Sequence, residues 1–403
     1  MFKKLEIKDW RQFSDVEIEF HDRLTILTGV NGSGKTTLLN VLSVALGWTP
    51  LLTGEFVAGK SEVLFIKNRM STSLEEAIKL LQPQNVEHGY VPHPLTMTTH
   101  PGLILHAHRP KMSYQEVDNV PLQMPSRDQI FKDYINHAKA FAKDVGIAIH
   151  NEKHQPVGMS PATANLKRSL AAWDRGSRGR ALTRSEEEAK GDFIAYMMLL
   201  SKVLPPQLGF REMRVADGEV LLMTQKGNFP IDGASGGISS LIDITWQIFL
   251  LCENRKQHYT VLIDEPENHL HPELQKILMH NLLEVFPNVQ FIIATHNPLI
   301  ISSNADAKVY ALVYDEKSDN KQITAKELET QDLSGTANEI LQDILGLESS
   351  IPVWVMEKLQ DIVTRYHARE FTRESLAEAK EELTKLGLSE YKAQVIAGIA
   401  EGK

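Results

Sequence analysis

The chain has 403 residues, of which 42% are hydrophobic and 24% charged, and this length is enough for about two or three domains with sizeable cores. A formal net charge of −9 excludes a protein that is basic throughout, although a local basic groove for nucleic acid is compatible with it. The single cysteine excludes a disulfide framework and a cysteine-rich zinc site, and it indicates a reducing, cytoplasmic compartment. We expect neither a signal peptide nor a membrane span, because the N-terminus is charged and no apolar run approaches roughly 20 residues.

Residues 2–8 and 15–20 alternate between apolar and polar side chains, which predicts an antiparallel pair of strands joined by a short turn. Trp10 and Phe13 lie in that turn. They could stack on an adenine ring, but aromatic side chains that close a hairpin over a core are the more common arrangement.

The stretch 24–37, LTILTGVNGSGKTT, combines an apolar strand, a glycine-rich turn and the start of a helix. Its pattern Gly-x-x-x-x-Gly-Lys-Thr is that of a phosphate-binding loop; the alternative is an ordinary tight turn, against which the flanking strand and helix argue. Lys35 is expected to reach the β- and γ-phosphates, and the Thr36 hydroxyl to bind magnesium. Backbone N–H groups and the helix N-terminus favour an anion here. The expected nucleotide contacts are Gly29, Asn31, Gly32, Ser33, Gly34, Lys35, Thr36 and Thr37.

Residues 50–205 are interpreted as a mixed, mainly helical insertion, with a strand at 102–108 and helices at 127–145 and 185–204. Five histidines are scattered through its proline-broken part without the paired spacing of a metal site, so we interpret them as surface or core residues: His88, His93, His100, His106 and His108. Four arginines could bind the phosphates of DNA or RNA or an acidic partner, with a solvated loop as the alternative: Arg175, Arg178, Arg180 and Arg184.

The second half of the chain returns to strands at 210–215 and 220–223, followed by a Ser-Gly-Gly turn that opens a long helix. Continuous apolar runs at 259–265 and 291–294 are typical of buried parallel strands, and a helix at 272–285 completes a βαβ unit. Strands at 308–313 and 322–326 follow, and then helices at 337–345, 353–368 and 372–386. Gly387 is expected to cap the third helix, and Ser389 to begin a short last one.

Polar side chains with possible catalytic roles lie at the ends of both apolar strands of this βαβ unit. Asp264 is expected to hold magnesium through its hydration shell, and Glu265 to polarise the attacking water. A buried strand that simply ends in surface acids is the alternative, which the presence of Lys35 and Thr36 disfavours. His296, after the second strand, would donate a hydrogen bond to the γ-phosphate unless it only caps the strand end.

Together, the loop at 29–36, Asp264-Glu265 and the later run ATHNP resemble the motifs of an ABC-type P-loop ATPase. More narrowly, the opening KKLEIKDWRQFSDVEIEF and the run DEPENHLHPELQ resemble the SMC, RecF and OLD-like group. The resemblance covers residues 1–45 and 205–305. It implies an α/β fold of ABC-ATPase type with an N-terminal antiparallel β-lobe, binding of ATP and Mg²⁺, and hydrolysis of ATP. We expect a discontinuous core at 1–49 and 206–330, the insertion at 50–205 and a helical region at 331–403.

Within this resemblance, Ala234 to Gly237 occupy the position of the ABC signature, where Leu-Ser-x-Gly is usual. Ser235, Gly236 and Gly237 would then contact ATP bound to a second copy of the chain, which implies a homodimer or higher homo-oligomer with ATP at the interface. Ala234 departs from Leu, and Ile238 stands where Gln or Glu is common, so the strength of that dimer is open.

The loop after Asp264-Glu265 also departs from the family, because His271 stands where an aspartate normally crosses the interface. The Q-loop glutamine is left open among Gln82, Gln84 and Gln115.

Three functions fit such an ATPase. The first is the sensor or regulatory subunit of a prokaryotic anti-phage defence complex, similar to the ATPases of Septu, retron-associated or PARIS systems, with slow hydrolysis that controls a separate nuclease or toxin. The second is a RecF-like or SMC-like ATPase of DNA repair. The third, a transporter subunit, is disfavoured because the insertion is unlike the short helical subdomain of transporters. Asp315 and Asp319 lie in a polar loop, so we expect any nuclease to be a separate protein.

Overall fold

The computed structural model describes residues 1–48, 62–67, 70–73, 101–109, 124–133, 161–177, 183–254, 256–315, 322–329, 335–347, 351–369 and 372–401, with single positions at 112, 114, 117 and 333. Two compact units make up the chain, Met1–Ile340 and Leu341–Lys403. None of the helices in these described ranges is long and apolar enough to cross a membrane.

The larger unit is built from strands and helices that alternate over much of the chain. Its strands are β1 Phe2–Trp10, β2 Phe13–Glu19, β3 Leu24–Gly29, β4 Glu62–Lys67, β5 Met70–Ser73, β6 Gly102–Leu105, β7 Phe210–Ala216, β8 Glu219–Thr224, β9 Gly227–Pro230, β10 Tyr259–Asp264, β11 Val289–Ala294, β12 Lys308–Tyr314 and β13 Ile323–Leu328. Its main helices are α1 Lys35–Val44, α2 Pro161–Ser177, α3 Arg184–Val203, α4 Gly236–Leu251, α5 Pro272–Val285 and α6 Pro298–Ile301.

A ten-stranded sheet with the order β5-β4-β1-β2-β13-β12-β3-β11-β10-β6 organises the described part of this unit. The pairs β1–β2, β1–β4, β4–β5 and β12–β13 are antiparallel, whereas the pairs β2–β13, β12–β3, β3–β11, β11–β10 and β10–β6 are parallel. The fold is therefore mixed α/β with an antiparallel lobe, as the sequence predicts. Because parallel strands end at one edge, the residues that follow β3, β11, β10 and β6 meet there.

Buried parallel strands fix this edge. Every residue of β3, β10 and β11 is buried, which matches their continuous apolar runs. The helix α1 packs on the sheet through Leu38, Leu39, Val41 and Leu42, all inaccessible to solvent. The predicted βαβ unit is confirmed, because β10 and β11 pair in parallel with α5 between them. Trp10 and Phe13 are buried core residues whose rings stack 6.0 Å apart.

The strand predicted at 102–108 is shorter and lies in the main sheet. β6 pairs in parallel with β10, and Gly102 stands opposite Thr260. A Cβ atom on Gly102 would lie 2.6 Å from the Thr260 carbonyl oxygen, so only glycine fits this close approach. After Leu105 the chain leaves the sheet, which brings the segment 106–109 to the edge where β10 ends.

A cluster of aromatic side chains packs α2, α3 and α4 together. Trp173, Tyr196, Trp246 and Phe249 are buried, with ring centroids between 4.9 and 6.4 Å apart. The Tyr196 hydroxyl donates to the Ile242 carbonyl at 3.0 Å, which satisfies its polar atom inside the cluster. This packing fixes the helix that the predicted signature turn opens. A separate three-stranded antiparallel sheet, β7-β8-β9, lies between α3 and α4 in sequence.

The smaller unit is helical. Its helices are α7 Val353–His367, α8 Arg373–Lys385 and α9 Lys392–Glu401, with a 3₁₀ turn at Ser389–Tyr391. They enclose a core that includes Ile362, Ala379, Leu383 and Val395. Gly387 adopts a left-handed conformation, φ 73°, as expected of the predicted cap. The helix predicted at 337–345 is instead a short helix at Ala337–Glu339 that continues as a π-helical turn over Ile340–Ile344.

Candidate functional site

The phosphate-binding loop joins β3 to α1. Gly29 and Gly34 have φ values of 139° and 90°, which L side chains rarely adopt. A Cβ atom on Gly29 would lie 2.5 Å from the Leu312 carbonyl oxygen, and one on Gly34 would lie 2.5 Å from the Phe13 ring. The loop therefore packs closely against neighbouring strands. A side chain at either glycine would clash with them and would also force an unfavourable backbone conformation.

Lys35 is the only cation that the described part of the loop carries. Its ammonium group donates to the carbonyl oxygens of Gly29 at 2.8 Å and Val30 at 3.1 Å, so it lies across the loop. Burial lowers the pKa of Lys35, and the nearby carboxylates of Glu265 and Asp264 oppose that effect. Of the other expected contacts, Ser33 is buried, whereas Asn31, Gly32 and Thr36 are exposed.

The two expected magnesium ligands are hydrogen-bonded to each other. The Thr36 hydroxyl donates to Asp264 Oδ2 at 2.8 Å, although the two residues are 228 positions apart in sequence. Burial raises the pKa of Asp264, and the Thr36 hydrogen bond opposes this shift. A hydroxyl and a carboxylate beside a phosphate loop form an oxygen donor set of the kind that Mg²⁺ prefers. The residues present therefore fit this ion.

Glu265 lies at the turn after β10. Its N–H donates to the Ala294 carbonyl at 2.8 Å, and its backbone is left-handed, with φ 48°. Its Oε1 lies 2.7 Å from His296 Nδ1, and the Glu265 side chain is mostly buried whereas that of His296 is about half exposed. Because β10 and β11 are parallel neighbours, their ends bring these two predicted residues together.

Arg109 is a site residue that the sequence analysis did not identify. Its buried guanidinium donates to the carbonyl oxygens of Asp264, Glu265 and Pro266 at 3.1–3.3 Å, and to that of His106. It therefore fixes the backbone of the turn that carries Glu265. An arginine that follows a predicted strand was the only sequence signal, and it is not specific.

Glu267 is a second residue without a predicted role. Its carboxyl group is buried, and Oε1 accepts a hydrogen bond from the Thr295 hydroxyl. Burial raises the pKa of Glu267 to about 7. Among the described residues, Glu265, Glu267 and His296 bring their ligand atoms within 4.8 Å of one another.

The predicted signature turn lies at the start of α4. Ser235 is exposed, and a Cβ atom on Gly237 would lie 3.2 Å from the His269 carbonyl oxygen, so the turn packs against the loop that follows β10. The Ser240 hydroxyl, one turn further, donates to the Asn268 carbonyl at 3.3 Å. Within the described residues no hydrogen bond joins this turn to the phosphate-binding loop. His271 caps α5, with Nδ1 accepting from the Glu273 N–H.

Other residues singled out in the sequence fall in several places. His106 and His108 are exposed after β6, and Arg175 and Arg184 are exposed on α2 and α3. Arg184 forms an ion pair with Glu188, one turn along the same helix. The remaining candidates lie outside the described residues: Gln82, Gln84, Gln115, His88, His93, His100, Arg178, Arg180 and Asp319.

Two family profiles match the chain. One, described as "AAA domain, putative AbiEii toxin, Type IV TA system", matches residues 163–302, and another, described as "AAA domain", matches residues 4–97. The first match includes the signature turn, the end of β10 and His296, and the second includes the phosphate-binding loop.

Three relatives extend this result. Septu protein PtuA of Bacillus thuringiensis is 21% identical over 374 residues, which are 88% of this chain and 87% of PtuA. Retron Vc95 probable ATPase of Vibrio cholerae serotype O1 biovar El Tor is 40% identical over 70 residues, 16% of this chain and 14% of that protein. DNA double-strand break repair Rad50 ATPase of Methanopyrus kandleri is 41% identical over 46 residues, 11% of this chain and 5% of that protein. The predicted resemblance to the ATPases of Septu and retron-associated defence systems is confirmed. The short match to a Rad50 ATPase adds a relative among DNA repair ATPases.

Proposed function

We propose that the protein binds and hydrolyses ATP as an ABC-type ATPase. The observation that carries this proposal is the meeting of Lys35, the Thr36–Asp264 pair and the Glu265–His296 pair at one edge of the sheet. When ATP binds, the Lys35 ammonium would give up its hydrogen bonds to the carbonyl oxygens of the loop and bind the phosphates instead. Thr36 and Asp264 would hold Mg²⁺, which supplies charge neutralisation at the phosphates.

Hydrolysis requires Glu265 to act on water, yet its carboxylate is hydrogen-bonded to His296. The γ-phosphate is a stronger competitor for the imidazole because it carries more negative charge. In the proposed cycle, His296 turns to the phosphate when ATP binds, and Glu265 is left to orient the attacking water and accept its proton. Slow turnover of the isolated protein would follow from this dependence on rearrangement.

The proposal includes a homodimer or higher homo-oligomer around ATP. Its support is that Ser235, Gly236 and Gly237 open a helix at an exposed turn, where N–H groups and the helix dipole favour an anion. We infer that this turn completes the ATP site of a second copy.

The biological role that we infer is that of a cytoplasmic sensor or regulatory subunit in an anti-phage defence complex, which controls a separate nuclease or toxin. Similarity to Septu protein PtuA over most of both chains supports this role. The short match to a Rad50 ATPase favours a second candidate, a DNA repair ATPase that contacts DNA directly. Native co-purification separates them: an effector nuclease or toxin supports defence, whereas DNA ends or repair proteins support the second candidate.

Glu265→Gln tests the hydrolytic step. The amide keeps the size of the side chain but cannot accept the proton of water, so ATP should still bind, turnover should fall about 100-fold or more, and an ATP-bound dimer should accumulate. Phosphate release and light scattering with ATP·Mg²⁺ measure the two effects. Turnover at the wild-type rate in this variant would remove Glu265 from the proposed role.

A further inference from the structure

One buried carboxyl group at the site has no role in the cycle above. Glu267 lies two residues after Glu265 and is only 5% exposed. The Thr295 hydroxyl donates to its Oε1, whereas Oε2 is closed to solvent and has no hydrogen-bond partner among the described residues. Leaving a buried oxygen without a hydrogen bond destabilises the folded protein, so its retention at a site calls for a physical reason.

The bond between Glu267 and Thr295 joins the turn after β10 to the end of β11. The same Thr295 oxygen accepts from the Asn297 N–H at 2.9 Å, and Asn297 Nδ2 donates to Gln275 Oε1 at 2.7 Å. Gln275 Nε2 donates in turn to the Leu270 carbonyl at 2.9 Å. The path starts and ends in the loop after β10. It therefore holds this loop against the strand end from which His296 extends.

We propose that Glu267 is a positioning residue, which locks the turn that carries Glu265 to the strand end that carries His296. This role rests on the hydrolytic function proposed above. Glu265 has a left-handed backbone, which surrounding contacts must maintain, and the side chain of His296 is about half exposed. The Glu267–Thr295 bond joins the two segments beyond the point where the Glu265 N–H donates to the Ala294 carbonyl, so it adds a side-chain link to the backbone pairing.

The neutral form of Glu267 is the one that suits this role. One of its carboxyl oxygens lies within 4.8 Å of a carboxyl oxygen of Glu265 and of a ring nitrogen of His296. Ionisation would add a second negative charge beside Glu265 and a second acceptor for His296. Burial raises the pKa of Glu267 to about 7, the charge of Glu265 adds to this shift, and Thr295 and His296 oppose it. Lys35 and Arg109 are the cations that also interact with Glu267.

Paired variants at Glu267 and Thr295 test the lock. Glu267→Ala and Thr295→Val each break the bond and should lower kcat about tenfold or more while ATP affinity changes less than about threefold. Glu267→Gln imitates the neutral acid, and Thr295→Ser keeps the hydroxyl, so both should retain kcat within about twofold. In the wild type, kcat should fall as pH rises through about 7, and Glu267→Gln should remove that fall. Because the two groups act through one bond, the double variant Glu267→Ala with Thr295→Val should be no slower than either single variant.

Several results would overturn the positioning role. If Glu267→Ala and Thr295→Val both keep the kcat and the pH profile of the wild type, Glu267 is not a positioning residue. That result would not affect the proposed hydrolysis of ATP. If the wild type binds ATP but does not hydrolyse it, both the positioning role and the proposed hydrolytic function are wrong. A wild-type rate that changes when transition metals are chelated before Mg²⁺ is added would assign the three groups to a metal site instead. Glu273→Gln, at an exposed acid of α5, is the matched control and should keep the wild-type kcat. If Glu267→Ala does not fold, the comparison of Thr295→Val with Thr295→Ser tests the positioning role.

Discussion

Lys35, the proposed contact to the phosphates of ATP, is held in place by its own loop. The ammonium group is buried and satisfied by two carbonyl oxygens of its own loop, while the carboxylates of Glu265 and Asp264 stabilise its charge. A buried cation without partners would lose its proton or leave the site. The hydrogen bonds therefore keep a charged lysine lying across the loop.

Replacing Lys35 by Ala should abolish tight ATP binding. The loss of a charge-assisted contact to phosphate costs about 2–3 kcal/mol, which corresponds to roughly 100-fold in affinity. Titration with a fluorescent ATP analogue measures the change, and Lys226→Ala, at an exposed lysine in the turn between β8 and β9, is the control. Unchanged affinity in Lys35→Ala would remove this lysine from the site.

The turn after β10 stores backbone strain. Glu265 and His269 are both left-handed, with φ values of 48° and 72°, and such conformations cost about 1–3 kcal/mol for residues other than glycine. Arg109 and Glu267 supply the contacts that maintain the turn. Strain that surrounding contacts maintain is typical of sites whose geometry must be exact for chemistry.

At the scale of elements, the aromatic cluster packs α2 and α3 against the second half of α4, the helix that begins at the predicted signature turn. Trp173 is fully buried against Trp246 of α4 and donates its indole N–H to the Pro125 carbonyl at 2.9 Å. The start of the helix is held separately, by the hydrogen bond from the Ser240 hydroxyl to the Asn268 carbonyl.

Trp173→Ala should therefore destabilise the larger unit by about 3–5 kcal/mol, through lost burial and the cavity left behind. Denaturant unfolding followed by circular dichroism gives the free energy. Met198→Ala on α3 is the control, because Met198 is 62% exposed and its loss should change stability by less than about 0.5 kcal/mol. Equal stability of the two variants would contradict the structural role of the cluster.

The elements that sequence reasoning predicts best are those whose signal is local. The phosphate-binding loop is recognisable because glycine spacing, strand and helix start lie within fourteen consecutive residues. Asp264, Glu265 and His296 are predictable because Asp264 ends a buried parallel strand and the other two each come shortly after one. Arg109 and Glu267 are not, since their roles come from contacts with Glu265 and Thr295 that only the sheet order creates. The pairing of β6 with β10 could not be predicted either, because β6 has only four residues and its partner strand lies far away in the sequence.

At the scale of the whole molecule, the two units have separate cores, and the predicted catalytic side chains belong to the larger one. Its phosphate-binding loop and its exposed signature turn are not hydrogen-bonded to each other within the described residues. A homodimer that pairs each loop with the partner's turn would give two equivalent sites, as two-fold symmetry requires. We therefore infer that each ATP site is built from two copies of the chain.

Mixing two inactive variants tests this claim most directly. Lys35→Ala removes phosphate binding, and Ser235→Arg blocks the signature turn, so each protein alone should release almost no phosphate from ATP. In an equal mixture, half of the dimers should be mixed and each should hold one intact site, so phosphate release should recover to about one quarter of the wild-type rate. A mixture that stays as inactive as its components, although mixed dimers form, would contradict a site shared between two copies.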